Sequence, residues 1–163
     1  MGRKLFTPLL QTHLTTQKER DVYEEATIEV IKTASGKNPF AFDYLWNIAC
    51  ISRTVDDIYD QDQELTRERL LRVVEYLFVE MPYNPFFQQY RDTLQSQHVS
   101  MYNAWMAANH WADGDETDQI YSHVWRDSIH EVVPIVALLT QGPDKMEEVS
   151  SKVRKLFKKK LGE

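Results

Sequence analysis

The chain of 163 residues is predicted to fold as a single-domain, all-α bundle of about six helices. Apolar side chains recur at three- and four-residue spacing along most of the chain, which is the period of an amphipathic helix. No segment shows the sustained two-residue alternation, with turn residues at its ends, that is typical of strands. Asn-Pro and Gly-Pro pairs separate the helical segments, and the short connections between them favour antiparallel neighbours.

The first two helices are delimited by capping residues. Thr16 followed by Glu19 matches a capping box, and a glycine ends the same segment, so a first helix is expected over about 17–35. Residues 1–15 are expected to be extended or loosely ordered. An Asn-Pro pair at Asn38 predicts the start of a second helix, which ends in an acidic run.

The third and fourth helices are delimited in the same way. Thr66 is expected to cap a third helix that Pro82 ends, and Asn84 with the following proline predicts a fourth helix to about Trp111. The apolar side chains of the third helix are expected to be buried, namely Leu70, Val73, Val74, Leu77 and Phe78.

The last two helices follow a polar loop around a glycine. A fifth helix is expected from about Thr117 to Thr140, with a kink near Pro134, and a Gly-Pro pair ends it. Asp144 is expected to cap a final amphipathic, basic helix over 144–163.

Charge and composition restrict the classes of partner. The net charge is −6, but six basic side chains and one acid fall between Lys152 and Glu163, so the rest of the chain is strongly acidic. An acidic body disfavours broad nucleic-acid binding, because most of the surface would repel the phosphate backbone. The basic end either offsets the dipole of the last helix or contacts a polyanion.

The expected location is the cytoplasm, without membrane insertion. A single cysteine, Cys50, excludes an intrachain disulfide framework and a cysteine-rich zinc site, and it fits a reducing compartment. No apolar run approaches the length of a membrane span, and the N-terminal apolar stretch is too short for a secretory signal.

An acidic cluster at the end of the second helix is the first candidate site. Asp56 and Asp60 are four residues apart, so they should project from one face, which is expected to point inward. Magnesium accepts one or two carboxylates together with phosphate oxygens, so this pair predicts a possible cation site. Asp57 lies off that face and one turn from Arg53, which indicates a surface ion pair. The alternative is that the acids of this run, including Asp62, are simply solvated.

A second constellation falls on the fifth helix. His123, Asp127, His130 and Glu131 follow one stripe, and Arg126 beside them could clamp a phosphate. If the second and fifth helices pack face to face, four carboxylates would line one magnesium pocket. These are Asp56, Asp60, Asp127 and Glu131. The alternative is a structural polar network in which the acids pair with arginines or histidines.

The fourth helix ends in aromatic residues. His110 and Trp111 belong either to the core or to a stacking wall for a base or an apolar ligand. The chain has no Gly-rich phosphate loop, nucleophile elbow or Cys-His arrangement of the usual hydrolases and kinases.

Two resemblances follow from these motifs. The segment Asp-Asp-Ile-Tyr-Asp resembles the Asp-Asp-x-x-Asp signature of isoprenoid diphosphate synthases, which implies that Asp56, Asp57 and Asp60 hold a substrate diphosphate through magnesium. More broadly, the chain resembles small all-helical proteins of tailed phages and prophages. That resemblance depends on the blocks Val-Asp-Asp-Ile-Tyr-Asp-Gln-Asp, Pro-Tyr-Asn-Pro-Phe-Phe and Asn-Ala-Trp-Met-Ala-Ala-Asn, and on Arg126-Asp127-Ser128 with the apolar stretch to Gln-Gly-Pro-Asp. It implies expression in a bacterial host cytoplasm.

Together these patterns predict a protein that binds a phosphate-containing small ligand, a diphosphate or a nucleotide-like molecule, through a carboxylate and magnesium site, to sequester it. The candidate ligand-binding residues are Arg53, Arg126, His123, His130, His110 and Trp111. One alternative is a non-catalytic structural or host-interaction protein, with a homo-oligomer interface on the aromatic-rich helices. Another is a magnesium-dependent enzyme that processes a diphosphate.

Overall fold

The computed structural model describes residues 17–60 and 66–157, with the side chains of 24–60 and 66–156. Its α-helices are α1 (Gln17–Ser35), α2 (Pro39–Asp60), α3 (Arg67–Glu75), α4 (Pro85–Gln89), α5 (Arg91–Trp111), α6 (Glu116–Arg126), α7 (Val132–Gln141) and α8 (Pro143–Phe157). A π-helical turn at Tyr76–Glu80 and 3₁₀ turns at Met81–Tyr83 and Asp127–Glu131 complete the order. The all-α prediction is confirmed, and the described residues contain no strand.

The predicted helix starts are confirmed at three caps. The side-chain oxygen of Asn38 accepts hydrogen bonds from the backbone N–H groups of Phe40 and Ala41, at 3.0 and 3.1 Å. Thr66 accepts from the backbone of Arg69 at 3.2 Å, and Asn84 accepts two bonds at 2.9 and 3.1 Å. These bonds satisfy N–H groups that have no partner within the helix. The capping box at Thr16 and the prediction for 1–15 lie outside the described residues.

Three helix boundaries differ from the predictions. The fourth predicted helix is interrupted at Tyr90, where φ is −116° and ψ is 25°, so it forms α4 and α5. The fifth is divided into α6 and α7 by the 3₁₀ turn at Asp127–Glu131. Pro134 explains the second break, because its ring clashes with the carbonyl four residues earlier and it donates no hydrogen bond. Asp144 does not cap α8, which begins one residue earlier, after Gly142 at φ +98°.

The core lies between α2 and the helices that surround it. Helix α1 packs against α2, α7 and α8, α7 packs against α8, and α5 packs against α6. The largest fully buried side chains are Tyr44, Tyr76, Phe86, Leu45, Leu94, Val136 and Val149. Because α2 also contacts α7 directly, the second and the fifth predicted helices are neighbours. Within the described residues, no helix has both the length and the apolar character needed to cross a membrane.

The expected burial of the third helix is wrong for most of its apolar residues. Leu70, Val74 and Phe78 are exposed, and the side chain of Phe78 is 77% accessible. The helix faces α2 with its arginines instead: Arg72 donates to Glu80 at 2.8 Å and to Asn47 at 3.3 Å. Three apolar residues of α3 and one of the following π-helical turn therefore form a surface here called the exposed α3 stripe, composed of Leu70, Leu71, Val74 and Phe78.

Candidate functional site

A cavity of about 210 Å³, here called the α2–α7 cavity, lies where α1, α2, α5 and the start of α7 meet. Its more buried lining is apolar and consists of Val30, Ile31, Leu45, Ile48, Ala49, Ile129, Val132 and Val133. Its polar lining consists of Thr27, Ser52, Arg53, Asp56, Arg126, Asp127 and His130, with the Trp105 indole beside them. Among the charged members, Arg53 is 16% exposed, Asp56 31% and Asp127 59%, so the charged side chains are partly open to solvent, whereas Thr27 is buried. The cavity thus combines an apolar interior with a charged entrance.

Five of the predicted site residues line this cavity together. Arg53 and Asp56 come from α2, whereas Arg126, Asp127 and His130 come from the end of α6 and the 3₁₀ turn. The packing of α2 against α7 brings the two groups to opposite sides of one space. The composite arrangement expected from the sequence is therefore present in part.

The other predicted site residues lie elsewhere. Asp60 is exposed at the end of α2, so its expected inward orientation is wrong. Glu131 forms an ion pair with Arg154 of α8 at 2.6 Å and lines a separate groove there. The 3₁₀ turn explains this displacement, because each residue advances by a third of a turn and no longer follows the helical stripe. His123 is exposed on α6.

The aromatic end of α5 is a packing cluster. The Trp111 ring lies 4.8 Å from Trp125 and 6.2 Å from Tyr121, in edge-to-face geometry. His110 is exposed, and neither His110 nor Trp111 lines the α2–α7 cavity. Edge-to-face contacts of this kind join α5 to α6.

Asp57, rather than Asp60, is the buried carboxylate of the acidic cluster. Its side chain is 2% exposed and pairs with Arg53 at 2.7 Å, as expected, and also with Arg69 of α3 at 2.8 Å. Arg69 donates in addition to the Thr54 hydroxyl at 3.1 Å. The predicted partner Arg53 is confirmed, but the predicted surface position is wrong. This buried network joins α2 to α3 and orients Arg53 at the cavity wall.

Asp56 and Arg126 are each held by a neutral neighbour. The indole N–H of Trp105 donates to Asp56 at 3.2 Å, while the nearest guanidinium nitrogen of Arg53 is 3.6 Å away. Arg126 donates to the amide oxygen of Asn109 at 2.8 Å, a partner that carries no charge. The positive charge of Arg126 is thus presented beside an apolar interior, where it can interact strongly with an anion.

The described residues offer no ready-made metal centre. No group of three or more His, Cys, Asp or Glu side chains among them is arranged to hold a metal ion. Of the four predicted magnesium ligands, only Asp56 and Asp127 line the same cavity.

A second cavity, here called the apolar groove, has a volume of about 280 Å³ and was not expected from the sequence. It lies between α2, the π-helical turn and α5, and its lining is Ile48, Ile51, Ser52, Val55, Leu77, His98, Met101, Tyr102, Trp105 and Ile129. Some of these side chains are open to solvent, with Val55 38% and Tyr102 64% exposed. The lining comes from four elements, since Ile129 belongs to the 3₁₀ turn, and such a groove leaves no local sequence signal.

His98 lies in the wall of the apolar groove as a neutral side chain. Its Nε2 is 2.6 Å from the Tyr44 hydroxyl, and its ring centroid lies 5.8 Å from that of Tyr44 and 6.0 Å from that of Phe87. Burial disfavours the charged imidazolium and lowers the pKa of His98 below its ordinary value of 6.5.

This burial predicts a pH-dependent stability. Because the folded pKa of His98 lies below the unfolded value, the unfolded state binds more protons, and the contribution of His98 to stability is lost as pH falls below about 6.5. We expect the free energy of unfolding, measured by urea titration, to decrease from pH 7 to pH 5 less in His98→Gln than in the wild type. His110→Gln, at an exposed position on the same helix, is the control. Equal pH dependence in the His98 variant and the wild type would contradict this assignment.

Comparison with known proteins adds no family or fold relative: no family model, no curated protein and no solved structure matches the chain. The geometry of the two cavities is therefore the basis for a functional interpretation.

Proposed function

We propose that this protein binds a small phosphate-containing ligand, a diphosphate or a nucleotide-like molecule, in the α2–α7 cavity and sequesters it. The observation that supports this proposal is the convergence of Arg53, Arg126 and His130 on one cavity, which has an apolar interior and is also lined by Asp56 and Asp127. No nucleophile paired with a general base was recognised in the sequence, which favours binding over turnover.

The chemistry of the lining matches such a ligand. A guanidinium group donates hydrogen bonds from a planar fork that suits phosphate oxygens, and the partner to which Arg126 donates, the amide oxygen of Asn109, is neutral. The apolar interior would receive the body of the ligand. At about 210 Å³ the cavity is smaller than the ~300–1,000 Å³ typical of ligand pockets, so the enclosed part of the ligand should be small.

Magnesium has a defined place in the proposal. Asp56 and Asp127 are two carboxylates at the same cavity, and Mg²⁺ in proteins is commonly held by one or two carboxylates together with substrate phosphates. Direct binding by arginine requires no metal, whereas a bridged complex requires it. Titration with and without Mg²⁺ distinguishes the two forms.

Arg126 provides the main test. The melting temperature of the wild type should rise with pyrophosphate or nucleoside diphosphates, since a ligand at one hundred times its Kd adds about 2.7 kcal/mol of stability. The rise should be lost in Arg126→Ala and kept in Arg91→Ala, an exposed arginine on α5. Chromatography of the incubated ligand separates sequestration from hydrolysis. Absence of any shift with all ligands, or an equal shift in Arg126→Ala, would exclude the proposal.

A structural or host-interaction role is the second candidate, and a specific observation favours it. The exposed α3 stripe presents four apolar side chains that are between 43% and 77% accessible. Large contiguous apolar patches are typical of protein interaction sites. The resemblance to phage proteins would place such a partner in a bacterial host. Light scattering of the purified protein would reveal self-association through this surface.

A further inference from the structure

We propose that the ligand is an anionic amphiphile, with its phosphate head in the α2–α7 cavity and a single alkyl chain in the apolar groove. This inference depends on the proposed function, because it names the class of ligand that occupies the same site. The new part of the inference is the role of the apolar groove, because phosphate binding in the α2–α7 cavity alone does not require that groove.

The α2–α7 cavity and the apolar groove are adjacent and share part of their lining. Four residues line both of them: Ile48, Ser52, Trp105 and Ile129. Ile48 and Ser52 belong to α2, and Trp105 belongs to α5. The wall between the two spaces therefore consists of side chains and not of a separate helix. A ligand whose head lies beside Arg126 would reach the groove past Trp105, through the side chains that line both spaces.

Trp105 is held at the boundary by contacts on both sides. Its indole N–H donates to Asp56, a residue of the α2–α7 cavity, and its ring lies 6.4 Å from Tyr102, a residue of the groove. Tyr59 contacts the same ring edge-on at 5.0 Å. The indole thus presents its apolar faces to both spaces while its polar atom is satisfied.

The chemistry of the groove fits an alkyl chain. Its lining is apolar except for Ser52 and His98, and His98 is neutral and already hydrogen-bonded to Tyr44. Among the described residues, no charged side chain lines it. Val55 and Tyr102 are accessible to solvent, so an alkyl chain that covers them would remove apolar surface from water.

Alkyl phosphates of different length test the inference directly. Below the micelle-forming concentration, decyl phosphate should bind at least about tenfold more tightly than butyl phosphate by calorimetric titration, because each buried methylene contributes favourably. Val55→Trp should fill the groove and weaken the binding of decyl phosphate far more than that of butyl phosphate, which removes this preference. Ile58→Trp, on the same helix and in neither cavity lining, is the matched control and should keep the preference.

The outcomes separate this inference from the proposed function. Equal affinity for both alkyl phosphates, with binding that still depends on Arg126, would overturn the inference and leave the proposed function intact. If decyl phosphate binds Arg126→Ala as tightly as it binds the wild type, the phosphate head does not lie beside Arg126, and both proposals are wrong. Should Val55→Trp fail to fold, Tyr102→Ala removes part of the groove wall and must reduce the chain-length preference. If light scattering shows a dimer that Val55→Trp dissociates, and no alkyl phosphate binds, a second copy covers the groove and the inference is wrong.

Discussion

Replacing Asp57 by alanine is expected to destabilise the protein by about 3–5 kcal/mol, the cost of removing one partner from a buried ion pair. Asp57 is 2% exposed and is shared by Arg53 and Arg69, each of which is only 16% exposed. Its loss leaves two largely desolvated guanidinium groups without their common carboxylate. Asp56 cannot readily replace it, because the Trp105 indole fixes that carboxylate 3.6 Å from Arg53.

Urea titration gives the free energy of unfolding and checks this expectation. Asp57→Asn, which keeps the shape and removes the charge, should also be strongly destabilising. Asp113→Ala, at an exposed position, should change the stability by no more than about 0.5 kcal/mol. A loss in Asp57→Ala as small as that of Asp113→Ala would mean that the network contributes little to the folded state.

The position of Asp57 shows what local spacing can predict and where it fails. The pair with Arg53 follows from four-residue spacing on one helix, and it was predicted correctly. The second partner, Arg69, belongs to the next helix, and its approach depends on how the chain turns between α2 and α3. Spacing within α2 contains no information on how closely Arg69 approaches, so spacing alone predicts a surface position for the Asp57 carboxylate.

Helix starts were predictable because capping is local. Asn38, Thr66 and Asn84 each satisfy N–H groups within three residues, so their effect is present in the sequence itself. The interruption at Tyr90 has no such local signal. The exposed α3 stripe also differs from the expectation, because helical periodicity identifies an apolar face but not whether another element covers it.

About half of the candidate site could be predicted. Arg53, Asp56, Arg126, Asp127 and His130 share a cavity because the assumed contact between the second and fifth helices is present. The remaining site predictions depend on helices that stay regular up to their ends. The 3₁₀ turn and the attraction of Arg154 remove Glu131 from that stripe, and neither effect can be derived from uniform helical spacing.

Phe86→Ala is the second substitution with a large expected effect. Phe86 is 1% exposed, and its ring packs 5.9 Å from Tyr44 and 5.1 Å from Tyr90. Truncation of a buried phenylalanine removes its transfer free energy and leaves a cavity, at a cost of about 3–5 kcal/mol. The void would lie beside Tyr44, which contacts His98 in the wall of the apolar groove. We therefore expect reduced stability in urea titration and a weaker preference for long alkyl phosphates.

Phe78→Ala is the matched control, because it removes the same atoms from a side chain that is 77% exposed. Its expected effect on the free energy of unfolding is within about 0.5 kcal/mol. Similar losses in both variants would contradict the assigned burial, since the exposed α3 stripe would then have to be covered in solution. In that case light scattering of Phe78→Ala and the wild type should differ, because a contact between chains would make an exposed side chain as stabilising as a buried one.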